Sequence, residues 1–249
     1  TKWPARKRMT IGVRPGNKYN QKGRRSTHVS GWVSLCRVKI FYGDRARDML
    51  TIDKYGVVVN ARIRLALRPA LEHARMVHIH GIIVHQTDSS TAESTLSQYT
   101  KAGSNGAHFL IDKDGTIFQT ASVYKQTAHV GPIKARCMLE LRCTPSEFKT
   151  LTSKFDPKGE HRREMTKTFP ERFPSNLDSI GIELVGRALP LSEPNPAKRQ
   201  YEAATAEQNV ALSWLVQELS STFGVHTSEI YRHPAVSRKN KTEAAGTVW

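Results

Sequence analysis

Val77-His-Ile-His80-Gly81-Ile82-Ile83-Val84-His85-Gln86-Thr87 is the stretch on which the fold turns. Its centre, Gly81 to Val84, carries no polar side chain. A short apolar run bounded by polar residues reads as a central strand covered on both faces. His85 then falls at the C-terminal end of that strand, the end at which open α/β sheets carry their sites.

The neighbouring sequence supplies the rest of such a sheet. Asp88-Ser-Ser-Thr91 predicts a loop and a helix start, with helix from Thr91 to about Lys101. Ala107-His-Phe-Leu-Ile111 predicts a second strand. Asp112-Lys-Asp-Gly115 is a tight turn that returns Thr116-Ile-Phe-Gln119 as a hairpin. Asp178 to Val185 is another buried strand, and Leu189 to Arg199 a Pro-rich loop. Thr205-Ala-Glu-Gln208 is a capping box. It opens a helix with Leu212, Leu215, Val216 and Leu219 on one face, ended by Gly224. Glu229-Ile-Tyr231 leads into His233 and a loop. Strands alternating with helices predict an α/β fold: a central mixed β-sheet flanked by helices, with a basic β-rich N-terminal extension.

Charge divides the chain. Its 249 residues carry a net charge of +16, and the first acidic residue is Asp44. Residues 1–27 read as a basic flexible arm. Residues 28–72 read as a small β-rich extension, with runs at Trp32–Leu35, Val38–Tyr42 and Val57–Ile63. Residues 73–249 form the main domain. Within it, 132–176 is polar and long enough to be an insertion or lid with helix of its own. The charge favours anionic partners: nucleic acid, a membrane surface, acidic wall polymer or an acidic inhibitor protein. No motif or aromatic interleaving supports nucleic acid. No apolar run reaches the roughly 18 residues that span a membrane. With Thr1 first and no secretory leader, the chain reads as part of a longer protein. Cys36, Cys137 and Cys143 match no zinc-finger spacing. Cys137 and Cys143 could pair, but the three are read as buried thiols.

The chemistry lies in three separated pieces: His85, Glu183 within Ser179-Ile-Gly-Ile-Glu183, and His233 followed by Lys241-Thr-Glu243. A catalytic zinc (Zn2+) takes three protein ligands and leaves one position open. His85, His233 and Glu243 are suitable donors. Glu183 interrupts an apolar strand, and a buried carboxylate needs a partner or a purpose. It is the candidate for moving a proton from water to a leaving amine. Lys241 offers a cation for a developing oxyanion.

These residues resemble the zinc-dependent N-acetylmuramoyl-L-alanine amidases of the type-2 class, whose fold is that of the peptidoglycan recognition proteins. The resemblance covers about Val77 to Gly246. It is carried by Ile-Val-His85-Gln-Thr, by Gly106-Ala-His-Phe-Leu-Ile-Asp-Lys-Asp-Gly115, by Thr127-Ala-His129-Val-Gly131, by Ser179-Ile-Gly-Ile-Glu183 and by Arg232-His233 with Lys241-Thr-Glu243. It implies zinc ligation by His85, His233 and Glu243, catalysis by Glu183 and Lys241, and a substrate pocket containing His129, with His108 beside it. The implied reaction is hydrolysis of the amide between the lactyl group of N-acetylmuramic acid and L-alanine. At position 243 the family has Asp or Cys, so the Glu is a departure with one extra methylene. Peptidoglycan is then the substrate, and the protein is expected outside the cell or in the bacterial periplasm. It would serve as a toxin module with a possible acidic immunity protein, or as a phage lysin. The alternative is a catalytically inactive peptidoglycan-binding module of the same fold.

Overall fold

The computed structural model describes residues 50–249. The expected basic arm (1–27) and the runs Trp32–Leu35 and Val38–Tyr42 lie outside the described residues. In chain order, β1 (Thr51–Ile52) pairs antiparallel with β2 (Val58–Val59), and β3 (Ile63–Leu65) follows. The run expected as one strand over Val57–Ile63 is therefore two. Asn60 breaks it: its side-chain oxygen accepts from the Arg62 amide at 2.9 Å, a local turn that competes with extended pairing.

β4 (Gly81–Gln86) leads into α1 (Ala92–Gln98), whose first turn is capped by the Thr91 hydroxyl. β5 (Phe109–Ile111) and β6 (Ile117–Gln119) form the expected hairpin. Three helices occupy the 132–176 segment: α2 (Arg136–Leu139), α3 (Pro145–Ser153) and α4 (Pro157–Glu164). β7 (Ser179–Leu184) follows, then a small hairpin of β8 (Ala188–Leu189) and β9 (Gln200–Tyr201). α5 (Ala206–Phe223) has the full Thr205/Gln208 capping box and ends on Gly224 at φ 67°. β10 (Ile230–Arg232) runs directly into α6 (His233–Val236), where the sequence suggested only a loop. Pro234 explains the difference, since its fixed φ and missing N–H suit the first turn of a helix. Among the described residues no helix is long and apolar enough to cross a membrane.

Six strands form one mixed sheet in the order β10-β4-β7-β5-β6-β3. β10, β4, β7 and β5 are parallel, and β6 returns antiparallel to β5. β3, inside the stretch read as an extension, completes the edge by pairing in parallel with β6. Period-2 alternation sorts the central strands. Ile82, Val84, Ile180, Ile182 and Leu184 pack with Leu212, Leu215, Val216 and Leu219 of α5 in the main core. On the other face Ile83 packs with Val130, Ile133, Phe173 and Val236. His85, Gly181 and Glu183 share that second parity, so they lie on the face away from α5. The register sets His85 opposite Glu183.

The 132–176 segment is fastened to this frame. Arg136 reaches Glu229, just before β10, through two bonds of 3.0 and 2.7 Å, and both side chains are buried. Cys137 and Cys143 form a disulfide with their Cα atoms 4.7 Å apart, against the buried-thiol expectation. The cause is a chain reversal after α2: Leu141 takes φ 54° and the Arg142 amide returns to the Cys137 carbonyl at 2.9 Å. That reversal brings the two Cα atoms within disulfide range.

Removing Arg136 alone strands the Glu229 carboxylate in a buried site. Arg136→Met is expected to cost about 3–5 kcal/mol in urea unfolding, with much of the loss recovered in the Arg136→Met/Glu229→Gln pair. A loss below about 1 kcal/mol, the range of exposed ion pairs, would contradict this view of the pair.

Candidate active site

A cleft of about 680 Å³ opens at the C-terminal ends of β4, β7 and β10. His85 is the penultimate residue of β4, Glu183 stands beside it on β7, and His233 begins α6 immediately after β10. Glu243 comes from the following loop. That loop is held in place by hydrogen bonds with β4 and β10. The Ala244 amide donates to the Gln86 side chain at 2.8 Å, and Arg232 donates to the carbonyls of Ala244 and Thr247. Ala244 takes a left-handed φ of 56° to make this turn.

His85, His233 and Glu243 are buried, and one ligand atom from each lies within 4.8 Å of the others. Glu243 Oε1 is 2.8 Å from His233 Nδ1 and 3.5 Å from His85 Nδ1. The longer Glu side chain therefore reaches both rings. His233 Nε2 lies 2.8 Å from the Val130 carbonyl, which can only accept. In the neutral ring that leaves Nδ1 bare, facing a carboxylate oxygen that carries no proton either. Burial, aided by repulsion from His233, pushes the His85 imidazolium down to about 4, so this ring is neutral at pH 7. Burial would raise Glu243, but when the His233 and His85 rings are protonated their hydrogen bonds and charge outweigh it and hold the carboxyl down to about 2. A carboxylate and imidazole nitrogens in close array match the donor set of a Zn2+ site.

Glu183 keeps a partial opening to the cleft. Burial nevertheless pushes its carboxyl up to about 7, and the negative Glu243 adds to that. Tyr99 opposes the shift by donating its hydroxyl to Glu183 Oε2 at 2.6 Å. Tyr99 sits at the C-cap of α1 and is almost fully buried. Gly106 leaves room for its ring, because a Cβ there would come within 2.6 Å of it. No local pattern signals this contact, since a Tyr on an amphipathic helix reads as core.

The remaining expected residues divide. His129 lines the cleft, with Nδ1 at 3.0 Å from His85 Nε2. Lys241 is exposed on the cleft rim. Lys239, two residues earlier, is a cation whose charge bears on both Glu183 and His85, and the sequence did not distinguish it from its neighbours. His108 does not reach the cleft. It has no exposed surface, Nε2 donates to the Lys125 carbonyl at 2.8 Å and Nδ1 accepts from the Gly181 amide at 3.0 Å. The substrate contact expected of it is replaced by an internal brace between β5 and β7.

A family model described as N-acetylmuramoyl-L-alanine amidase matches residues 75–244. The comparison with curated proteins gives no match. Among solved structures, a selenomethionine derivative of AmpD is similar at 17% identity and TM-score 0.46, covering 78% of this chain and 91% of that one. The catalytic domain of XlyA is similar at 17% identity and TM-score 0.42, covering 73% and 88%. AmpDH3 from Pseudomonas aeruginosa, in complex with anhydromuramic pentapeptide, is similar at 18% identity and TM-score 0.44, covering 78% and 61%.

The raised Glu183 carboxyl has a direct readout. In metal-free protein its protonated-acid infrared band should disappear with a midpoint of about 7 as pH rises. A midpoint in the ordinary carboxylate range, near 4.3, contradicts the effect assigned to burial.

Proposed function

The chain belongs to the N-acetylmuramoyl-L-alanine amidase family, and from that premise we propose that it is a zinc-dependent peptidoglycan hydrolase cleaving the amide between the N-acetylmuramic acid lactyl group and L-alanine. The observation that carries the reading is the convergence of His85, His233 and Glu243 beside Glu183 in one cleft. His85, His233 and Glu243 would hold the ion. Zinc in such a site supplies Lewis acidity toward a carbonyl and makes water acidic enough to ionise near neutrality.

The chain's own residues do the rest. Glu183, ionising near neutrality, can accept a proton from water and then release it to the departing L-alanine amine. Tyr99 pins Oε2 of that carboxylate, so its other oxygen is the one left for the proton. Lys241 and Lys239 at the rim supply positive charge toward the developing oxyanion. A binding module of this fold would have no use for a carboxylate poised near neutrality beside three ligand atoms.

Context follows from charge and covalent structure. A net charge of +16 suits an anionic wall polymer. The Cys137–Cys143 disulfide suits an oxidising compartment, such as the periplasm or the cell exterior. The catalytic unit is 73–249 together with β3, which completes its sheet. Its 132–176 segment contributes to the cleft Lys134, whose Nζ donates to the Pro234 carbonyl at 2.7 Å. Delivery as a toxin module or as a phage lysin fits the same site.

Digestion of purified peptidoglycan should release new L-alanine amino termini and leave glycan strands intact. New reducing sugar ends would instead make the enzyme a glycosidase. Glu183→Gln should lower hydrolysis by roughly 10²–10⁴-fold, the usual contribution of a positioned acid–base, with zinc still bound. Wild-type rates in that variant would remove Glu183 from the reaction.

A further inference from the structure

We infer that the dipeptide His129–Val130 orients both histidines of the proposed metal site, so that His129 is a positioning residue and not a substrate contact. The inference rests on the zinc reading of His85, His233 and Glu243. Its content is which nitrogen of each ring carries the proton.

The argument starts at groups that can play only one part. Ser179 Oγ donates to the Ser175 carbonyl at 2.6 Å, so its lone pairs are free to accept. His129 Nε2 lies 3.3 Å from both that Oγ and the Ser179 carbonyl. A carbonyl cannot donate, so Nε2 of a neutral His129 carries the proton and its Nδ1 is bare. His129 Nδ1 is 3.0 Å from His85 Nε2, which must therefore donate to it. His85 is left with a bare Nδ1, the atom that faces Glu243. A neutral His233 ring is in the same state through the other residue of the pair, because its Nε2 donates to the Val130 carbonyl at 2.8 Å. A side chain and a main-chain carbonyl from adjacent residues thus turn two bare nitrogens toward one carboxylate oxygen. Metal-ligating imidazoles are commonly fixed in this way by the partner of their second nitrogen.

Two further features hold the pair. The Asn176 side-chain oxygen accepts from the amides of both His129 and Val130, at 3.1 and 2.8 Å. Gly181 leaves the space in which the His129 ring lies, since a Cβ there would come within 2.7 Å of His129 Nδ1. The motif Ser179-Ile-Gly-Ile-Glu183 thereby acquires a reason at each alternate position. Ser179 accepts from His129, Gly181 makes room for it, and Glu183 faces the cleft.

The test uses the 249-residue chain with zinc alone as probe. Chelator competition should give a zinc affinity 10–100-fold weaker in His129→Phe, in line with partner losses at other sites. Asn176→Ala, which touches neither ring, should weaken it by a smaller factor. Unchanged affinity in a folded His129→Phe protein overturns the proposal. Should that variant not fold, imidazole 15N spectra of the wild type decide. They should show protonated Nε2 in His85, His129 and His233, and a proton on Nδ1 of His85 overturns the proposal equally. A wild-type chain that takes up no zinc overturns the metal reading instead, and the ring spectra keep that failure separate from this one.

Discussion

His85 and Glu183 stand opposite one another across the parallel pairing of β4 and β7, and the site depends on that register. A slip of one residue in either strand would turn its own side chain toward the α5 core and bring isoleucine, valine or leucine into the cleft. The register is protected by what the other parity buries. Ile82, Val84, Ile180, Ile182 and Leu184 fit only against the apolar stripe of α5. Packing on one face of the sheet therefore fixes chemistry on the other. β10 extends the same logic: it pairs in parallel with β4, Arg232 opposite Val84, so His233 emerges beside His85.

Around that pairing, charge is arranged with little help from water. Bare imidazole nitrogens and an ionised carboxylate face one another inside the protein, which is unfavourable unless a cation lies among them. Among the described residues Glu183 has no ion-pair partner, and burial pushes its ionisation up to about 7. The contrast with Glu243, held down to about 2, separates the two carboxylates by role. One is kept charged and suited to bind a cation. The other changes protonation near working pH and is suited to move a proton.

Much of this was legible in the sequence because period-2 and period-3.6 patterns survive in single stretches. Gly81 to Gln86, Ser179 to Leu184 and the α5 stripe are all local signals, and the capping box and Gly224 marked the helix ends. His85, Glu183, His233 and Glu243 were legible through their motifs, and the fold brings them together. Contacts made by chain reversal or across the sheet were not legible. The Tyr99–Glu183 bond joins a helix end to a strand 84 residues away. β3 is only three residues long and finds its partner at β6. The disulfide depends on a left-handed Leu141 that no spacing rule anticipates. His108 looked like a pocket residue because it lies on a strand beside the site, whereas the Lys125 carbonyl and the Gly181 amide occupy both of its nitrogens.

The central claim is that two imidazoles and one carboxylate form a single cation site, with His129 behind it. X-ray absorption at the zinc edge of the metal-loaded chain tests this most directly. The account predicts a four-coordinate ion with two imidazole nitrogens at about 2.0–2.1 Å, a carboxylate oxygen at about 2.0–2.2 Å and one exchangeable oxygen. Three imidazoles in the shell, which would bring His129 into it, or a six-oxygen shell without histidine, would contradict it.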